Sequence, residues 1–300
     1  MTNYTNQYVP SIGLGTYNMS SEEAEFMTFH ALKHGYRHID TAAVYRNEDG
    51  VAKGVKTYLN DSDLKREDIF ITTKLWPGGL VKVDRIKDYT GTVKSFEKSL
   101  MRLNLDYIDL YLIHSPHGKT KRLEQWRALV DLKEAGKIKY IGVSNWGINH
   151  LSELKENDLP MPDANQIELH PWSQKPELVK FLRNEKIDII AYSSLVPLST
   201  WRHKDGENSK KTNEMHEIGL SENSPFKILA EKYDVTEAQF LLKWAVQNNY
   251  AVLPKSINIE RVKQNFELNF LIDQSDMEYI TTLDKGDSIT WEYGDPLKVK

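Results

Sequence analysis

Residues 107–114 read YIDLYLIH, a short apolar run of aromatic and branched side chains that stops on a histidine. That is the pattern of a buried strand with a polar group emerging at its end. Working outward, seven further stretches have the same form: IGLGT (12–16), YRHID (36–40), IFITTK (69–74), YIGVSN (140–145), ANQIEL (164–169), IDIIAYS (187–193) and AVLPKS (251–256). Helix-like stretches lie between them. Ser20-Ser21-Glu22-Glu23 reads as an N-cap with acidic first-turn residues. Val93, Phe96 and Leu100 share one helical face, and the pattern around Trp126, Leu129, Val130 and Leu132 ends at Gly136 as a C′ glycine. Further helices are expected at 147–156, 176–184, 236–249 and 259–267. Eight strands alternating with helices predict an α/β fold, a (β/α)8 TIM barrel, as a single domain over 1–300. Two segments exceed the minimal barrel: a polar loop at 199–224 inserted after strand 7, and a C-terminal tail from about Ile272. The tail carries a short helix near 275–284 and a Trp291-bearing end.

Composition narrows the function. Lys and Arg total 39 against 43 Asp and Glu, a net charge of −4, which argues against nucleic acid or an acidic membrane as partner. No run approaches the roughly 18 apolar residues of a membrane helix, and the start MTNYTNQYVP is not a signal peptide. The absence of cysteine removes disulfides, thiolate nucleophiles and iron–sulfur clusters together. A cytoplasmic globular enzyme is the expectation.

In such barrels the chemistry sits where strands end. Here the ends carry Asp40, Lys74, His114, Asn145, Tyr192-Ser193 and Lys255-Ser256. A lone Asp or Asn there is ordinarily a turn former. A lysine ending the buried run IFITTK is different, because an unpaired ammonium would cost several kcal/mol. It needs an anion, and Asp40 from the neighbouring strand is the economical one. Tyr45, five residues further on, can fold back over the same mouth. A free phenol, with a pKa of about 10, is a poor acid at neutral pH, and an adjacent lysine cation favours phenolate. Asp40 would orient Lys74, and His114 would point a substrate carbonyl at the phenol. No metal is needed: His114 and His117 form an HxxH, but Pro116 intervenes and no further ligand is evident.

Together DTAAVYRNE (40–48), ITTKLW (71–76), LYLIHSP (110–116), IGVSN (141–145), NQIELHP (165–171), AYSS (191–194) and LPKSINIERVKQN (253–265) resemble an aldo-keto reductase, in order from about Pro10 to Phe270. Each motif is weak alone; their joint order and spacing are specific. The resemblance implies a barrel that uses NADPH to reduce a small aldehyde or ketone, working as a monomer. It places the family's catalytic Asp, Tyr, Lys and His on Asp40, Tyr45, Lys74 and His114.

GLGTYN (13–18) lacks the third glycine of a dinucleotide fingerprint, so the cofactor must be held otherwise. Gly13 and Gly15 instead relieve crowding at the first strand. By resemblance, Gly15, Thr16 and Tyr17 lie along the cofactor, Ser144, Asn145 and Gln166 bind the nicotinamide amide, and Tyr192, followed by Ser193, stacks on its ring. Lys255, Ser256 and Arg261 at a helix start suit a phosphate dianion, which favours NADPH over NADH. The family pattern adds Asn258 beside that phosphate and Asn265 near the adenine. Tyr17 and Trp76 sit at positions of pocket aromatics, whereas Ser115 stands where Trp is common and widens the pocket. Trp201 is a candidate at the mouth; Trp126 and Trp244 read as packing residues. Two rival readings remain: an aldolase using Lys74 as a Schiff base, and an NADPH-binding sensor or regulatory protein with low turnover.

Overall fold

The computed structural model describes residues 6–81, 83–198, 223–286, 290 and 295–300, together with positions 213, 217, 218, 220 and 221. The inserted segment, with Trp201, and the Trp291 end therefore lie largely outside the described residues.

All eight expected strands are present: Leu14–Gly15 (β1), His38–Asp40 (β2), Phe70–Leu75 (β3), Ile108–Ile113 (β4), Ile138–Ser144 (β5), Ala164–Glu168 (β6), Asp188–Tyr192 (β7) and Ala251–Val252 (β8). They pair in parallel in chain order. Val252 bridges back to Ile12, and Gly13 N–H donates to Val252 O at 2.8 Å, so the ring closes. β1 and β8 are the shortest strands, at two residues each, and Gly15 N–H donates to Pro254 O at 3.1 Å across the same seam. A Cβ at Gly15 would lie 2.8 Å from the Leu253 carbonyl, which accounts for the crowding read from the sequence.

Side-chain alternation divides the apolar residues into two clusters. Leu110, Leu112, Ala164, Ile190 and Ala251 pack with Val9 in one. Tyr111, Ile113, Ile141, Val143 and Ile189 pack in the other, which includes apolar side chains from the surrounding helices. The N-terminal segment is fastened to Asp188, whose carboxylate accepts from the N–H groups of Gln7, Tyr8 and Val9 at 2.8–3.0 Å.

Ten helices are found among the described residues: Ser21–Lys33 (α1), Glu48–Asn60 (α2), Tyr89–Leu103 (α3), Arg122–Glu134 (α4), Ile148–Glu156 (α5), Pro176–Asn184 (α6), Pro225–Lys232 (α7), Glu237–Gln247 (α8), Ile259–Phe266 (α9) and Gln274–Thr281 (α10). Ser20 caps α1 in a capping box with Glu23, and Gly136 follows α4 at φ +71°. Sequence reading misses α2 and α7. Two glycines depress the helix propensity of α2, yet they are what lets it pack on α1. A Cβ at Gly50 would lie 2.0 Å from the Ser21 carbonyl, and one at Gly54 2.5 Å from that of Glu25. Gly50→Ala is accordingly expected to cost about 1–3 kcal/mol of stability through overpacking, read as a lower Tm.

The tail returns over the C-terminal ends of the strands. Thr290 donates its N–H and hydroxyl to the buried Glu168 carboxylate, at 3.1 and 2.7 Å. Near the terminus, His150 accepts from Gly147 N–H at Nδ1, which leaves Nε2 to donate to Val299 O at 2.5 Å. No helix among the described residues is long and apolar enough to cross a membrane.

Candidate active site

Register brings the two central charges together. Asp40 pairs with Thr72, and Lys74 lies one pleat further along β3 on the same face. Lys74 Nζ donates to Asp40 Oδ1 at 2.5 Å and to Thr41 O at 2.9 Å, with no exposed side-chain surface. The other Asp40 oxygen accepts from Gln166 Nε2 at 2.8 Å. Burial pushes Lys74 down and Asp40 up from their ordinary values, and the contact between them opposes both. An ammonium desolvated in this way is tolerable only while its carboxylate stays within reach.

Tyr45 ends a 3-10 turn, Ala43–Tyr45, that leaves β2 and bends the chain back. Arg46, next in sequence, takes a left-handed conformation at φ +59°. The turn is fixed by the buried Asn47, which accepts from Thr41 Oγ1 and donates to the carbonyls of Thr16 and Met19. As a result the Tyr45 ring lies 5.2 Å from Lys74 Nζ and 5.6 Å from the His114 ring. Burial, aided by the nearby Lys74 charge, holds His114 well below the usual imidazole range, so the ring is neutral at pH 7. Its Nδ1 is buried and has no hydrogen-bond partner among the described residues. Asp40, Tyr45, Lys74 and His114 thus form one cluster at the ends of β2, β3 and β4.

Sequence reading passes over the group that backs this cluster. Glu48, fully buried, accepts from Thr73 Oγ1 at 2.6 Å and forms an ion pair with Arg102. Asn47 and Glu48 follow Tyr45 after Arg46 in DTAAVYRNE, and the signal available was their polarity at the start of a helix that packs inward. A second omission is Asp84, which accepts from Trp76 Nε1 at 2.7 Å.

The residues expected around a nicotinamide form a hydrogen-bonded chain. Ser144 donates to Gln166 O at 2.9 Å, Asn145 Nδ2 donates to Ser144 Oγ at 3.0 Å, and Tyr192 donates to Asn145 Oδ1 at 2.6 Å. Gln166 gives one Nε2 N–H to Asp40, and its side-chain carbonyl oxygen is left to accept from a ligand. Asn145 and Ser193 both take left-handed conformations, at φ +63° and +56°.

Beyond the end of β8, Lys255 and Arg261 are exposed, and Ser256 Oγ accepts from Asn258 N–H at 3.1 Å. Asn258 is the N-cap of α9, accepting from Arg261 N–H at 3.0 Å. Asn265 is buried on the same helix. Two cations, a hydroxyl and a capped helix start are a donor set matched to a phosphate.

Of the pocket aromatics, Tyr17 is exposed and packs 5.1 Å from Tyr45, and Gly15 and Thr16 precede it, buried. Trp76 stands edge-on to His114 at 5.7 Å. Ser115, expected at the pocket wall, has no exposed surface, and its hydroxyl is 3.0 Å from His117 Nδ1. Trp126 and Trp244 are buried, in keeping with packing roles.

The model of the Aldo/keto reductase family matches residues 11–285. The chain is 38% identical to the glyoxal reductase of Bacillus subtilis over 283 residues, covering 94% of this chain and 91% of that one. It is 36% identical to the methylglyoxal reductase DkgA of Yersinia pestis, covering 94% and 92%. A crystal structure of a Bombyx mori aldo-keto reductase in complex with NADP superposes with a TM-score of 0.80, at 29% identity and covering 96% and 95%. By fold, by strand-end chemistry and by these similarities, the chain belongs to the aldo/keto reductase family.

Proposed function

We propose that the protein is an NADPH-dependent reductase of small aldehydes and ketones, with α-oxoaldehydes as its substrate class. The observation that carries the catalytic part is the buried Lys74–Asp40 pair beneath Tyr45, beside a neutral His114. The substrate class rests on the glyoxal and methylglyoxal reductases among its relatives. When bound, NADPH supplies hydride to the carbonyl carbon. The protein supplies the rest. Tyr45 gives its hydroxyl proton to the carbonyl oxygen, and the Lys74 charge stabilises the phenolate left behind. Asp40 keeps Lys74 protonated, and a neutral imidazole carries one N–H with which His114 orients the carbonyl. Ser144, Asn145 and the Gln166 carbonyl oxygen would hold the carboxamide, with the Tyr192 ring against the nicotinamide. Gly15, Thr16 and Ser193 would line its path. Lys255, Ser256 and Arg261 would take the 2′-phosphate, with Asn258 and Asn265 nearby.

Lys74 as a Schiff-base nucleophile fits less well. Its Nζ has no exposed surface and is engaged by Asp40 and Thr41, so a carbonyl carbon has no approach. The proposal extends to one cytoplasmic domain acting as a monomer.

The testing experiment is steady-state oxidation of NADPH with methylglyoxal, glyoxal and a panel of larger aldehydes and ketones. Turnover of none of them would refute the assignment. A second measurement isolates cofactor choice. Arg261→Ala should weaken NADPH binding by about 1.5–3 kcal/mol, the worth of a charge-assisted hydrogen bond, and leave NADH nearly unchanged. Equal losses for both, in a tryptophan-quenching titration, would show that Arg261 does not read the phosphate.

A further inference from the structure

The loop between β3 and α3, residues 76–88, is gripped at both ends of its first residue. The Trp76 indole N–H donates to Asp84 Oδ2 at 2.7 Å, while the Trp76 carbonyl accepts from Lys87 Nζ at 2.5 Å. Gly79 N–H donates to Asp84 O, and Lys87 N–H to Pro77 O, each at 3.0 Å. Gln125 of α4 fastens the loop's stem to the barrel, giving Nε2 to Pro77 O at 3.1 Å and Lys87 O at 2.8 Å. The stem also abuts the chain after β4: a Cβ on Gly79 would lie 2.4 Å from His117 O.

At the tip two apolar side chains face solvent. Val83 is 93% exposed and Val81 48%. The polar contacts therefore fix the indole where packing at the tip cannot. An indole needs a partner for its N–H when partly buried, and with that bond made its ring has one orientation rather than several. That orientation stands edge-on to His114, at 5.7 Å and 83°, next to the group assigned to the substrate carbonyl.

We propose that Asp84 is a specificity-determining positioning residue: by accepting the Trp76 indole N–H it holds a rigid wall beside His114 that admits small carbonyl compounds and resists bulky ones. The inference rests on the reductase reading above. It does not require Asp84 to touch substrate. A wall fixed in this way discriminates by size; a wall free to turn admits larger substituents and aligns small ones less well.

The test compares Asp84→Ala with Asp84→Asn, because the amide oxygen of Asn can still accept the indole N–H. Asp84→Ala should lower the ratio of kcat/KM for methylglyoxal over an aryl ketone by about tenfold or more, with NADPH affinity unchanged. Asp84→Asn should keep that ratio within about twofold of the parent, since the hydrogen bond survives. A ratio that holds in Asp84→Ala, a uniform loss on every substrate, or equal damage from both variants would overturn the proposal. A readout independent of turnover is the emission lost on Trp76→Phe, compared with and without Asp84→Ala. That difference spectrum isolates Trp76, which should become more accessible to acrylamide without Asp84 and stay protected with Asn. An unchanged difference spectrum would overturn the clamp even in an active enzyme. If the clamp is seen but no carbonyl compound is turned over, it is the reductase reading that fails.

Discussion

Tyr45→Phe is expected to lower kcat by about 10²–10⁴, the usual worth of a positioned general acid, while leaving NADPH binding intact. The substitution removes one oxygen and keeps the ring. The ring's contacts with Tyr17 and His114 and its place 5.2 Å from Lys74 Nζ should therefore persist. Asn47 holds the turn through backbone carbonyls and Thr41, none of which involves the phenol. Loss of turnover with retained fold and retained cofactor affinity would thus report the proton alone. The fall should be similar in kcat and in kcat/KM, because the proton transfer is made in the transition state and not in the ground state. Near-normal turnover in the Phe variant would remove Tyr45 from the mechanism and shift attention to His114 as donor.

What could be read from the chain depended on how local the determining physics is. The strands were legible because short apolar runs with polar ends have few other structural meanings. Lys74 was legible for an energetic reason: a lysine ending a buried strand demands a counter-charge, and Asp40 on the adjacent strand is 2.5 Å away. Helix α2 was not, because its glycines serve a contact with α1 that is remote in sequence and opposes local propensity. Asn47 and Asp84 escaped for a related reason. Each acts through hydrogen bonds to loops whose paths are set by tertiary structure, so residue type alone gives no hint of the partner. Gln166 shows the limit from the other side. Its type suits an amide ligand, but one of its two amide N–H donors is spent on Asp40. Ser115 was read as a pocket-wall residue from its place after His114, and its side chain is buried with its hydroxyl against His117.

Lys74→Met should produce the largest loss of stability of any single change at the site. It leaves Asp40 buried with its Gln166 contact and without its cation. Removing one partner of a buried ion pair costs about 3–5 kcal/mol, where replacing both by uncharged groups can be nearly neutral. In a chain of this size that corresponds to a fall in Tm on the order of 10 °C. The loss should depend on pH in a determined direction. Burial already raises the folded-state pKa of Asp40, and losing Lys74 raises it further, so the folded variant holds a proton that the unfolded chain releases. A raised folded pKa means that stability falls as pH climbs from the unfolded value toward the folded one. The deficit of Lys74→Met should therefore shrink in acid and be full at neutral pH. Pairing it with Asp40→Asn removes the orphaned charge and keeps an acceptor for Gln166, so stability should recover to within about 1 kcal/mol of the parent. Activity should not recover, since nothing then stabilises the Tyr45 phenolate. Thermal melts and NADPH oxidation on the three variants separate the two roles of the lysine. A single Lys74→Met as stable as the parent at pH 7 would deny that the pair is charged. A double variant that turns over normally would deny that Lys74 acts on Tyr45 at all.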